Sequence, residues 1–189
     1  FSCSTQRNFK PETISKTELV LNTISAENLY EYGNLAIIRD SWGTPHVYGK
    51  TDKDAAFGLA YAHAEDDFKT IHDVLLHSRG EYASIYGKGK SNINASLDYL
   101  VGLLKIHEIV ERDYFTELDK STRDLCEGYA EGLNYYIEKN NNELDQYIYP
   151  INGKDIVAGF MYKNPFFFDL PIFISVLYSY EPSKIPESF

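Results

Sequence analysis

The stretch Asp40–Gly87, DSWGTPHVYGKTDKDAAFGLAYAHAEDDFKTIHDVLLHSRGEYASIYG, decides the fold. The residues just before it, Leu35-Ala36-Ile37-Ile38-Arg39, are apolar and β-branched. Ser41-Trp42-Gly43-Thr44-Pro45 reads as a turn and His46-Val47-Tyr48 as a second extended segment, so two short strands joined tightly are expected. The period then changes. Thr51, with Asp54 three residues on, is spaced as a capping box. Ala55, Leu59, Ala62, Asp66, Phe68, Ile71, Leu75 and Leu76 fall near one stripe of a 3.6-residue helix that Gly80 should stop. The early part of this helix is rich in Ala and Gly, which allow close approach of a neighbouring backbone, so burial against the strands is expected.

Working outward, Lys88–Asn94 reads as a loop, Leu97–Ile109 as a helix, and Asp119–Asn140 as a helix capped by Asp119 or Ser121. Cys126, Tyr129, Ala130, Leu133, Tyr136 and Ile137 recur at three- and four-residue spacing along it, placing Cys126 among buried residues. Asp155–Tyr162 is a short helix that Asn164-Pro165 should interrupt before the apolar run Phe166–Ile174. Towards the N-terminus, Thr17–Leu21 reads as a strand and Ser25–Tyr30 as a short turn or helix.

With 189 residues and 43% hydrophobic content the chain can bury a core as one domain. Its aromatic content is unusual: 16 Tyr and 11 Phe against a single Trp, and such rings fill cores or shape pockets. A net charge of −10 without a basic patch argues against nucleic acid as a partner, because replacing phosphate counterions needs Lys and Arg. Two cysteines, Cys3 and Cys126, form no stapling framework and have no partners at zinc-ligand spacing. His63 and Asp67, at i and i+4, could share a metal, but no third ligand is apparent, and a structural role is expected for both. There is no G-x-S-x-G elbow among the serines.

Three segments carry a resemblance. IRDSWGTPHVYGKTDKDAAFGLAYAHAED is similar to the strand, G-x-P-H turn and helix that open the penicillin-amidase superfamily of N-terminal-nucleophile hydrolases. HSRGEYASIYG resembles the R-G-E-x-[AS]-x-x-[FY]-G of its acyl-homoserine-lactone acylase and aculeacin acylase branch. LCEGYAEGLNYYI, Leu125–Ile137, resembles a helix of the same enzymes. In that superfamily a precursor is cut into a small α and a large β chain, and 189 residues is about the size of the α chain.

The resemblance implies an α+β fold: a mostly helical α chain whose short N-terminal strands complete the αββα arrangement of an αβ heterodimer. It implies a tail at 1–24, an α-subunit domain at 25–180 and a C-terminal tail at 181–189 before the processing linker. No catalytic residue is then expected in this chain, since the nucleophile is the N-terminal Ser of the β chain, its own amine serving as base; no metal or cofactor is implied. Glu65 and Asp66 are expected to hold backbone or an Arg, and Arg79 to meet a buried acid. By position, Asn164, Phe166, Phe167 and Phe168 are the expected acyl-pocket residues of an amide hydrolase acting on N-acyl substrates, acyl-homoserine lactones or related lipid amides first. A penicillin or cephalosporin acylase, or a non-catalytic exported domain binding a small apolar ligand, are the alternatives. Phe1-Ser2-Cys3-Ser4 resembles a bacterial lipoprotein processing site, so export to the periplasm, a removed signal peptide and possible membrane anchoring through a lipidated Cys3 are expected.

Overall fold

The computed structural model describes residues 35–40, 42–140 and 147–168. The described residues begin with a hairpin of β1 (Leu35–Arg39) and β2 (Pro45–Gly49), paired antiparallel with Ile37 opposite Val47. Six helices follow among the described residues: α1 (Asp52–Ser78), α2 (Tyr82–Tyr86), α3 (Ile93–Leu103), α4 (Ile106–Asp113), α5 (Lys120–Lys139) and α6 (Gly153–Phe167). A 3-10 turn at Lys90–Asn92 leads into α3. The class is α+β, mostly helical with a two-stranded sheet among the described residues.

α1 is the axis. Thr51 and Asp54 close the expected capping box at its start. Asp67, at φ −156° and ψ 66°, breaks it into two helical halves. The Asp67 carboxylate accepts from the Thr70 N–H at 3.1 Å, so the second half carries its own N-cap. In the first half the buried residues are Ala56, Phe57, Gly58, Ala60, Ala62 and Ala64, while Leu59 is 52% exposed and Asp66 is exposed. The single expected stripe is therefore replaced by a broader one, because this half has two partners. Gly58 lies under the hairpin, where an added Cβ would stand 2.5 Å from a Leu35 methyl and 2.7 Å from one of Val47. On another side α5 approaches backbone to backbone: a Cβ on Gly128 would stand 2.4 Å from the Lys53 carbonyl oxygen, and one on Gly132 2.3 Å from that of Phe57.

The second half packs conventionally, with Ile71, Leu75 and Leu76 interlocking with Ala130, Leu133 and Ile137 of α5 and with Ile148 and Ile151. A second cluster joins α3, α4 and α6 through Val101, Ile106, Val110, Tyr114, Ala158 and Tyr162. α5 begins at Asp119, whose carboxylate accepts from the Thr122 N–H, as its spacing predicts.

Two helix expectations need correction. Leu97–Ile109 is two helices, because Lys105 sits at φ 54°, a left-handed conformation that ends α3 and starts α4. Pro165 does not interrupt α6. Proline cannot donate to the carbonyl four residues back, yet its fixed φ suits a helix; here it lies in the final turn, which Phe168 closes by donating to the Pro165 carbonyl. The expected elements before Leu35, the Cys3 site and the domain boundaries near 24 and 180 lie outside the described residues.

Candidate functional site at the end of helix α6

α6 is anchored firmly at its start. Asn152 caps it, accepting from the Lys154 and Asp155 N–H groups, and Asp155 returns the bond by accepting from the Asn152 N–H. Asp155 is buried and meets the guanidinium of Arg79 in a two-pronged pair, Nε to Oδ1 at 2.9 Å and Nη2 to Oδ2 at 3.0 Å. Arg79 also donates to the Pro150 carbonyl. The buried acid expected for this arginine is thus Asp155, and the fork geometry explains why an arginine serves better than a lysine. Glu127 on α5 adds a second tie, accepting from the Gly153 N–H and the Tyr114 hydroxyl.

The far end of α6 carries the four expected pocket residues, and the structure separates them. Phe166 is half-buried against the second core cluster, its ring edge-on to Tyr162 at 5.4 Å between centroids. Asn164 is exposed, Phe167 is 80% exposed and Phe168 is 70% exposed. Phe160, a turn or two earlier, is 74% exposed. Beside it a groove of about 330 Å³ runs between the second half of α1, α5 and α6, lined by Ile71, Tyr129, Ile156, Phe160 and Lys163 among others. So α6 ends in three rings, of which Phe166 is packed and Phe167 and Phe168 are open.

Behind Phe166 the rings continue inward. Tyr162 stacks on His77 at 5.8 Å, and His77 stacks on Tyr82 at 3.9 Å and 10°. Nδ1 of His77 lies 3.7 Å from Oδ1 of Asp98, and both atoms are buried without a hydrogen bond among the described residues. The other Asp98 oxygen accepts from the Ala83 N–H at 2.7 Å. Burial pushes the His77 pKa below its usual value, outweighing the Asp98 charge that raises it, and burial lifts the Tyr162 phenol to about 12. None of Tyr82, Asp98 or Tyr162 is marked by sequence spacing; only packing brings them together.

His63 and Asp67 do not converge on one point. His63 is hydrogen-bonded to the Tyr129 hydroxyl at 2.8 Å, and Asp67 is occupied in capping. No group of three or more His, Cys, Asp or Glu side chains is placed to hold a metal among the described residues. The paired histidines meet Asp40, Tyr129, Asp73 and Asp98, none of them a hydroxyl or thiol nucleophile of the serine or cysteine kind. Cys126 is half-buried, a free thiol whose pKa burial raises, the wrong direction for a reactive thiolate. Glu65 and Asp66 act as expected: together they bind Arg39 of β1, at 3.0 and 2.9 Å, while the same guanidinium donates to the Ala62 and Gly43 carbonyls. That clasp fixes the hairpin to α1.

The chain has relatives among known proteins. The penicillin amidase family matches residues 34–170. An acyl-homoserine lactone acylase PvdQ of Pseudomonas syringae pv. syringae is 24% identical over 71% of this chain, and a penicillin G acylase of Escherichia coli is 21% identical over 67%. The QuiP acyl-homoserine lactone acylase of Pseudomonas aeruginosa is 30% identical over 59%. The chain spans only 12–19% of the length of these relatives. Among solved structures, a thermostable penicillin G acylase from Alcaligenes faecalis superposes with a TM-score of 0.57 at 23% identity, covering 70% of this chain and 72% of that one. The fold is therefore shared with that acylase, and by a match that runs from the hairpin to the last turn of α6, the chain belongs to the penicillin amidase family.

Proposed function

We propose that the chain is the small subunit of an autoprocessed amide hydrolase that removes acyl groups from acyl-homoserine lactones or related lipid amides. The observation that carries the reading is the open row at the end of α6, Asn164, Phe167 and Phe168 beside the half-packed Phe166, in a member of an acylase family. Exposed rings in such number on one helix end call for a covering surface. On this reading a separate β chain supplies it and completes an αββα core, with Asn164, Phe166, Phe167 and Phe168 forming one wall of the acyl pocket. The N-terminal Ser of that chain attacks the amide carbonyl while its own amine takes the hydroxyl proton. The amine product leaves with that proton, and water then splits the acyl-enzyme to release the acid. Export to the periplasm, with Cys3 as a lipid-bearing residue, belongs to the same proposal and rests on Phe1-Ser2-Cys3-Ser4.

The test is hydrolysis by the purified full-length gene product of acyl-homoserine lactones of graded chain length, with penicillin G in parallel. Preference for the lactones is expected; preference for penicillin G would move the protein to the penicillin acylase reading, and hydrolysis of neither would overturn the proposal.

A further inference from the structure

The column Tyr82–His77–Tyr162–Phe166 has a costly feature at its centre. The imidazole and the Asp98 carboxylate face each other at 3.7 Å, too far for a hydrogen bond, and each leaves a buried polar atom unpaired among the described residues. Buried unpaired polar atoms cost stability, and an aliphatic side chain of similar volume would avoid that cost but offer no planar face. What the histidine does supply is a flat ring of defined orientation. Its face lies nearly parallel to Tyr82, at 10°, and to Tyr162, at 16°. The carboxylate beyond its edge is itself fixed to the backbone of α2 by the Ala83 N–H. Tyr162 in turn meets Phe166 edge-on. Four rings thus connect α2, within the R-G-E segment, to the packed member of the row on α6.

We propose that His77 is a positioning residue for Phe166: stacked between Tyr82 and Tyr162, its ring sets Tyr162, and Tyr162 sets where the Phe166 ring stands. As a device for acyl-chain selection this rests on the proposed pocket; as a device that positions Phe166 it does not. Without the His77 ring, Tyr162 can tilt inward and Phe166 can follow, opening room on the side where an acyl chain would end. One methylene in an apolar pocket is worth roughly ten- to two-hundredfold in discrimination, so even a modest displacement should be visible in substrate ranking.

The experiment compares Phe166→Ala, His77→Ala and His77→Phe in the full-length protein. Two readouts are used: kcat/KM across acyl-homoserine lactones of increasing length, and the ¹⁹F resonance of a fluorophenylalanine placed at position 166. Phe166→Ala should move the ranking towards longer chains by about tenfold or more. His77→Ala should move it in the same direction and shift the resonance, and His77→Phe, which restores a flat ring, should return both towards the original values. If Phe166→Ala changes the ranking and His77→Ala leaves it unchanged, the inference is wrong and the pocket stands. If Phe166→Ala changes nothing, the pocket reading fails, and the resonance alone then decides on His77. An unshifted resonance in His77→Ala overturns the positioning role whatever the kinetics show. A shift that His77→Phe does not reverse would overturn it too, as general loosening.

Discussion

The two halves of α1 are built on opposite principles. From Asp52 to Asp66 the helix succeeds by lacking side chains: Gly58 admits the hairpin, and Gly128 and Gly132 of α5 let two backbones meet at distances where no Cβ fits. From Phe68 to Ser78 it succeeds by having them, with Ile71, Leu75 and Leu76 interlocked in the main core and the Arg79–Asp155 pair just beyond its end. Close backbone approach gains dispersion contacts along a line and leaves no tolerance for added volume. Interlocking side chains tolerate small changes of shape, but a buried charge that loses its partner cannot relax. The difference predicts where each half is fragile.

The largest effect is expected on the side of the second half. Asp155→Ala leaves the Arg79 guanidinium facing the Pro150 carbonyl without its carboxylate, and also removes the return bond of the α6 capping box. Breaking a buried pair from one side costs roughly 3–5 kcal/mol, which chemical denaturation of the full-length protein would read. A loss below about 1 kcal/mol, the value of an exposed pair, would mean that this anchor is no stronger than a surface contact and would remove half of the comparison.

On the side of the first half, Gly132→Val puts a branched side chain where even a Cβ meets the Phe57 carbonyl oxygen at 2.3 Å. Overpacking of this kind costs about 1–3 kcal/mol, and more where the neighbour is backbone. Gly102→Ala on α3 is the matched control. Beyond its chain neighbours and its own helix backbone, no atom lies within 4 Å of the Cβ it would add, so the better helix propensity of alanine should raise stability by about 0.5–1 kcal/mol. If both substitutions behave alike, the close approach of α1 and α5 is not what holds the first half.

The same division explains what the sequence discloses. Spacing within a few residues is legible: Thr51 with Asp54, Asp119 with Thr122, and the 3.6-residue period of Ile71, Leu75 and Leu76. The motif resemblance adds Arg39 with Glu65 and Asp66, and an acid for Arg79, although nothing local says that the acid is Asp155. The first half of α1 misleads, because a helix buried on two sides shows no single stripe, and Leu59 takes the exposed position that periodicity gives to the core. At the candidate site the residues at the end of α6 are named by position, but the division into one packed and two open phenylalanines depends on helix phase through Pro165. The His77–Asp98 and His63–Tyr129 pairs join separate helices and are invisible until those helices pack.

The smallest expected effect lies at the joint between the halves. Asp67 leaves the helical region and spends its carboxylate on the Thr70 N–H, so the two halves are separately started helices. The Thr70 hydroxyl, and after it the Thr70 N–H, hold the Asp67 pKa below the usual carboxylate value. Asp67→Asn keeps an oxygen acceptor at the cap and should change the melting temperature little, since Asn and Asp cap about equally well. Asp67→Ala removes the acceptor and offers a strong helix former instead, so two effects compete. If the joint is fixed by packing on either side, the break persists, the Thr70 N–H goes unpaired and the melting temperature falls by a few degrees. A rise would mean that the halves can fuse into one continuous helix, and that the aspartate imposes the division rather than the two kinds of packing. Because a lowered folded-state pKa adds stability that is lost as pH falls through it, the Ala variant's deficit should be largest at neutral pH and shrink in acid without vanishing, since a protonated carboxyl still offers the Thr70 N–H an oxygen, as Asn does. A deficit that stays constant down to acid pH would mean that the cap works through its oxygen alone and that the charge adds nothing.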